Sequence, residues 1–90
     1  MTVYVLMQTS DASHHYPRIV TIFKGVYDSK EKAWEAIERE YYPLLKIIEE
    51  HKYKIRSIRI DSSALTVECE DFIEDFYFCE TYNILETEVK

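Results

Sequence analysis

Ninety residues carrying a formal net charge of -6, with 47% apolar and 14% aromatic side chains, have enough apolar surface to pack a single domain and too much to remain disordered. The length leaves little room for a deep cofactor cleft beside a core, and the acidic balance argues against direct nucleic-acid binding, which needs clustered Lys and Arg. The opening Met1-Thr2-Val3-Tyr4 has no basic stretch or apolar leader, and no run of eighteen apolar residues follows. The expectation is therefore one cytoplasmic domain over residues 1–90, neither exported nor membrane-spanning.

The first predicted element is a strand over residues 3–8, Val-Tyr-Val-Leu-Met-Gln. Its continuous apolarity suggests a central strand covered on both faces. From Thr9 to Arg18 the chain offers Ser, Asp, paired histidines and Pro17, which reads as a polar loop of eight to ten residues inside a long hairpin. A second strand runs from Ile19 to Lys24, and Gly25, the only glycine, marks a bulge or a positive φ before Val26 and Tyr27 resume it.

A helix should follow, capped by Asp28 or Ser29, with Asp28 and Glu31 spaced as a capping box. Ala33, Trp34, Ile37, Tyr41, Leu44, Leu45 and Ile48 fall on one stripe, so one helical face packs on a sheet. Pro43 lacks the amide that would bond to Arg39, which predicts two pieces, 29–41 and 43–51, bent or broken between them.

Two half-exposed strands come next, Lys54–Asp61 and Ala64–Glu70. A turn at Ser62-Ser63 would pair Ile60 with Leu65 and Ile58 with Val67 on one face. A last strand over Phe72–Leu85 alternates Phe76, Phe78, Tyr82 and Ile84 against Tyr77, Cys79, Thr81 and Leu85. The resulting order is ββαβββ, an α+β domain with an antiparallel sheet and a helix on one of its two faces. The other sheet face is a candidate homodimer surface.

Two segments, Val3-Tyr4-Val5-Leu6 and Gly25-Val26-Tyr27-Asp28-Ser29-Lys30-Glu31-Lys32-Ala33, resemble a family of small uncharacterised bacterial and phage domains. Its members open with a V-Y-V-L strand and enter the helix through G-V-Y-x-S-K-E-x-A. The resemblance covers about the first 40 residues. It implies a bacterial or phage cytosolic protein and predicts no activity.

The charges are partitioned. Lys52, Lys54, Arg56 and Arg59 form a short basic run, whereas Glu68 to Glu88 holds eight acidic residues and no basic one. A concentrated negative field attracts basic protein surfaces, so Glu70, Asp71, Glu74 and Asp75 are the candidate partner-binding residues. The plainer alternative sets Glu68 and Glu70 opposite Arg59 across the hairpin. These carboxylate pairs miss the calcium-loop pattern and its glycine, so no metal or other cofactor is expected.

His14, His15 and Tyr16 offer a second candidate site, for a small ligand, although neighbouring histidines on an extended chain point apart. Cys69 and Cys79 lack disulfide-scaffold or zinc spacing and read as free thiols. No nucleophile stands in a recognisable catalytic setting. The functional expectation is a non-enzymatic protein-binding accessory or inhibitor module using its acidic C-terminal surface, with a small-ligand sensing or sequestering protein, dimeric or not, as the alternative.

Overall fold

The fold was taken from a computed structural model that describes residues 1–13, 18–71 and 76–89. Along the chain run β1 (Thr2–Ser13), β2 (Arg18–Tyr27), α1 (Lys30–Glu50), β3 (Lys54–Ile60), β4 (Ala64–Asp71) and β5 (Phe76–Glu88). The strands form one antiparallel sheet in the order β2-β1-β5-β4-β3. The α+β class with an antiparallel sheet therefore holds.

Sequence neighbours pair at the two margins of the sheet, β1 with β2 and β3 with β4. Its middle is made by β1 and β5, from opposite ends of the chain, matched over twelve positions from Thr2↔Glu88 to Ser13↔Tyr77. Because side chains alternate along a strand, this ladder divides the sheet. Leu6 and its partner Ile84 face α1, whereas Val5 and its partner Leu85 face away.

The core lies between α1 and the sheet. Leu6, Ile37, Ile48, Val67 and Cys69 are its fully buried larger side chains, joined by Ala33, Ala36, Leu65, Phe78, Tyr82 and Ile84. Trp34, Tyr41, Leu44 and Leu45 pack against them, so the predicted helical stripe is the stripe that meets the sheet. Burying a side chain of the size of Leu6 or Ile37 stabilises the fold by about 1.5–3 kcal/mol.

Several boundaries differ from the sequence reading. Thr9–Ser13 is strand rather than loop, because β5 pairs with β1 along its whole length. Gln8 and Ser10 both donate to Glu80 Oε2, at 2.8 and 2.6 Å, which gives polar side chains in this stretch a partner within the sheet. β4 continues to Asp71 and β5 to Glu88; the expected start of the last strand at Phe72 lies outside the described residues. β1 is central, but only one of its faces is covered: Leu6 is buried, and Val3, Val5 and Met7 remain half-exposed.

The helix is a single span through Pro43, not two. Pro43 is exposed, so the carbonyl that loses its amide donor has water within reach, and apolar packing continues on either side at Tyr41 and Leu44.

Two bulges set the phase of the sheet. Between Leu6↔Gly25 and Met7↔Phe23 the extra residue is Lys24, whose Nζ reaches Glu40 Oε1 of α1 at 2.6 Å. At Gly25 an added Cβ would lie 3.1–3.3 Å from the Tyr27 ring, a closeness that glycine alone accommodates without displacing the ring. In the β3–β4 pair the extra residue is Arg56. It corrects the odd spacing of the isoleucines, so that Ile55, Ile58 and Ile60 stand opposite Cys69, Val67 and Leu65 and share the helix side.

Ser29, with extended backbone, caps the helix, its Oγ accepting from Lys32 N–H at 3.2 Å. The third helical residue is thus Lys32, and no capping box forms at Asp28 and Glu31; Asp28 pairs with Lys32 Nζ at 2.9 Å instead. At the other end Lys52 takes φ +57°. Its N–H bonds to Glu49 O, and Tyr53 N–H bonds to Ile48 O, each at 3.1 Å. These two bonds make a Schellman closure built without glycine.

Both helix ends carry a prediction. Ser29→Ala should cost about 1 kcal/mol by urea titration. Lys52→Gly should gain about 1 kcal/mol, because a side chain is strained in the left-handed region and glycine is not; a loss on that substitution would contradict the closure described.

Candidate functional site

Cross-strand partners share a face, so the register dictates what the helix-free face of the sheet displays. Across one end run Val26, Val5 and Leu85, then Phe23, Met7, Asn83 and Ala64, with Val3 and Thr87 beyond. No charged residue falls in these rows. Phe23 is 60% exposed, and Val26 and Leu85 are each 53% exposed.

The next row is Thr21, Thr9, Thr81 and Thr66, one from each of four adjacent strands. The outer two pairs of this row have hydroxyl oxygens 3.3 Å apart. Beyond the threonines the face becomes polar: Arg59 Nη2 lies 2.9 Å from Glu68 Oε1 and Arg56 Nη1 3.9 Å from Glu70 Oε2. An antiparallel sheet with one solvated face ordinarily turns polar residues outward. Here the β2-β1-β5 end does the opposite.

Of the predicted partner-binding residues, Glu70 is the one whose side chain is described. Glu70 lies 3.9 Å from Arg56 and faces Lys54 in the register; Glu68 accepts a hydrogen bond from Arg59. Glu80 accepts from Gln8 and Ser10, and Glu88 from Thr2 Oγ1 at 2.7 Å and the Met1 ammonium at 3.0 Å. These two bonds, that from Thr2 foremost, hold the Glu88 carboxyl below its usual range. The plainer alternative, carboxylates facing bases across a hairpin, describes Glu68 and Glu70. Asp71 closes β4. Glu74, Asp75, His14, His15 and Tyr16 lie outside the described residues.

A second feature occupies the helix side. Because α1 packs over β1, β2 and β5, it leaves the β3 margin open, and Ile55, Ile58 and Ile60 stay 41, 40 and 64% exposed. Between α1 and the β3–β4 turn lies a groove of about 340 Å³. Trp34, Tyr41 and Tyr42 line it from the helix, Ile60 and Leu65 from the sheet, with Glu38 and Asp61 at its borders. The Tyr41 and Tyr42 rings are 5.8 Å apart at 58°. Asp61 is fixed by the turn it opens, its Oδ1 accepting from Ser63 N–H at 2.8 Å and its own N–H donating to Ala64 O at 3.0 Å.

Sequence reading placed Trp34 and Tyr41 in the core, against which both, partly buried, do pack. It missed that the same rings wall a groove, since nothing in a helical stripe tells where the sheet beneath it ends.

The two thiols sit on opposite faces. Cys69 stands across from Phe78 in the core, whereas Cys79 stands across from Glu68 on the open face. Burial, then the neighbouring Cys79, pushes the Cys69 thiol up to about 11. Burial, then Glu40 and Glu80, likewise pushes Tyr82 up to about 12, so its phenol stays protonated near neutrality. Among the described residues no group of three or more His, Cys, Asp or Glu is placed to hold a metal, and no helix is long and apolar enough to cross a membrane.

Comparisons with protein-family models, with curated proteins and with solved structures found no match.

In native protein at pH 8, a chromogenic disulfide reagent should modify one thiol quickly, and Cys79→Ser should abolish that phase. Cys69, with about a thousandth of its thiol ionised, should react only on unfolding. Equal native reactivity of both thiols would contradict their placement on opposite faces.

Proposed function

We propose that this chain is a non-enzymatic protein-binding module, an accessory or inhibitor of bacterial or phage origin, and that it associates through the open face of its sheet. The observation that carries the reading is the uncharged apolar end of that face, built from Val3, Val5, Met7, Phe23, Val26 and Leu85. Depletion of charge with enrichment in aromatic and aliphatic side chains is what sets an interface centre apart from ordinary surface. At the usual strand spacing and rise, this end covers roughly 300 Å² in plan, within the range of the largest apolar patch on a typical monomer, which is often functional.

The occupant of the face is a second copy of the chain. A twofold contact requires a self-complementary patch. An apolar centre bordered by threonines meets its own image without burying an unpaired charge, and the nearby arginines already have their carboxylates. On this reading Glu70 is not the centre of recognition.

Sedimentation at micromolar concentration should give twice the chain mass. Phe23→Lys with Leu85→Lys should give a monomer with unchanged circular dichroism. Charge reversal at Glu70, Asp71, Glu74 and Asp75 should leave the mass doubled. A monomeric wild type, or a dimer lost only on charge reversal, would refute the assignment of this face.

A further inference from the structure

The groove between α1 and the β3–β4 turn combines two kinds of group that seldom meet without a purpose. Trp34, Tyr41 and Tyr42 contribute aromatic rings to its lining, and Tyr42 is 62% exposed despite its size. Glu38 and Asp61 add two carboxylates, while no lysine or arginine lines the cavity. Glu38 makes no ion pair or hydrogen bond with any described residue. The interaction recorded for the Asp61 carboxylate is the turn bond from Ser63 to Oδ1, which leaves Oδ2 for another donor. Arg39 is the following helical residue, but it lies with Glu35, Glu38 and Tyr42 at the outer rim and with Lys24 and Glu40 across the helix.

Aromatic faces carry negative potential and attract cations, most strongly at Trp. Carboxylates at the border add the same sign. A planar guanidinium satisfies both at once, stacking on a ring and donating paired hydrogen bonds to a carboxylate. We infer that this groove is a receptor for an arginine side chain carried by a protein partner.

A protein source, rather than a free metabolite, follows from the shape. Pockets for free small molecules enclose most of the ligand surface, whereas here Tyr42 and Ile60 stand more than 60% exposed on the walls. The groove also opens toward β3, a sheet margin whose isoleucines continue the apolar floor. A partner segment thus has apolar ground on which to lie while its arginine enters the groove. The inference rests on the protein-binding reading in that the cation arrives on a polypeptide. It does not rest on the dimer, because the groove is on the opposite side of the sheet from the dimer face.

Trp34 is the single tryptophan, so its fluorescence reports this groove alone. The probe is a capped tripeptide, acetyl-Gly-Arg-Gly-amide, titrated at low salt against its citrulline counterpart, which keeps the shape and loses the charge. The arginine peptide should change Trp34 emission saturably, with the citrulline peptide about tenfold weaker or worse. Glu38→Gln and Asp61→Asn should each weaken binding several-fold; both retain the fold, since Glu38 is exposed and Asn keeps the turn acceptor.

Equal responses to arginine and citrulline, or unchanged binding in both variants, would overturn the cation assignment. Tighter binding of tetramethylammonium or free arginine than of the peptide would overturn the protein source. The same titration in the monomeric Phe23→Lys, Leu85→Lys protein separates the two hypotheses. Arginine binding there with the dimer abolished leaves the groove standing, whereas a dimeric wild type blind to arginine sinks the groove alone.

Discussion

The pairing of β1 with β5 is the interaction on which the rest of this molecule depends. It joins the two ends of the chain over twelve positions, seats each terminal hairpin beside the other, and fixes which side chains of both central strands turn toward the helix. A slip of one residue would pair Leu6 with Leu85 or Asn83 and turn over the side chains of one of the two strands, so that Leu6 and Ile84 could no longer both lie under α1. The single register that buries Leu6, Ile84 and Tyr82 together is therefore strongly selected. Such a contact between distant segments costs more chain entropy than a local hairpin, and the burial it permits on the helix side compensates for it.

One helix across one face of a five-stranded sheet has an unavoidable consequence. The cover is too narrow for the sheet, and the opposite face has none. The molecule measures 50 × 25 × 17 Å, a long thin slab rather than a ball. Where the helix stops short, β3 keeps three isoleucines half in water and the groove at Trp34 opens. Where it is absent altogether, the β2-β1-β5 end shows valines, Phe23 and Leu85. Both candidate surfaces come from the same shortage of cover. Their chemistry separates them: the open face is uncharged and suited to its own image, and the groove is aromatic and acidic and suited to a cation.

Charge in this chain works mainly at short range. The acidic run that dominates the C-terminal third of the sequence is largely spent, in its described part, on the adjacent strands: Glu68 and Glu70 on arginines of β3, Glu80 on Gln8 and Ser10, Glu88 on Thr2 and the Met1 ammonium. Exposed pairs of this kind add little to stability. Their effect is on where negative potential remains, and Glu38 and Asp61, far apart in sequence, keep theirs at the border of one groove.

What the sequence determined by itself is local. The alternation in each strand, the apolar stripe of the helix, a bulge signalled by Gly25, the entry at Ser29 and the pairing of Ile58 and Ile60 with Val67 and Leu65 were all legible, because each depends on residues close along the chain. Continuous apolarity over Val3–Met7 was legible too, but its meaning was not: the same pattern serves a strand buried on both faces and a strand with one apolar face left bare. Only the tertiary structure decided that β1 lies against β5, that the helix runs unbroken through Pro43, and that Tyr42 and Asp61 border one groove. These depend on how far a helix reaches across a sheet and on which distant strands pair, and composition and periodicity carry no information about either.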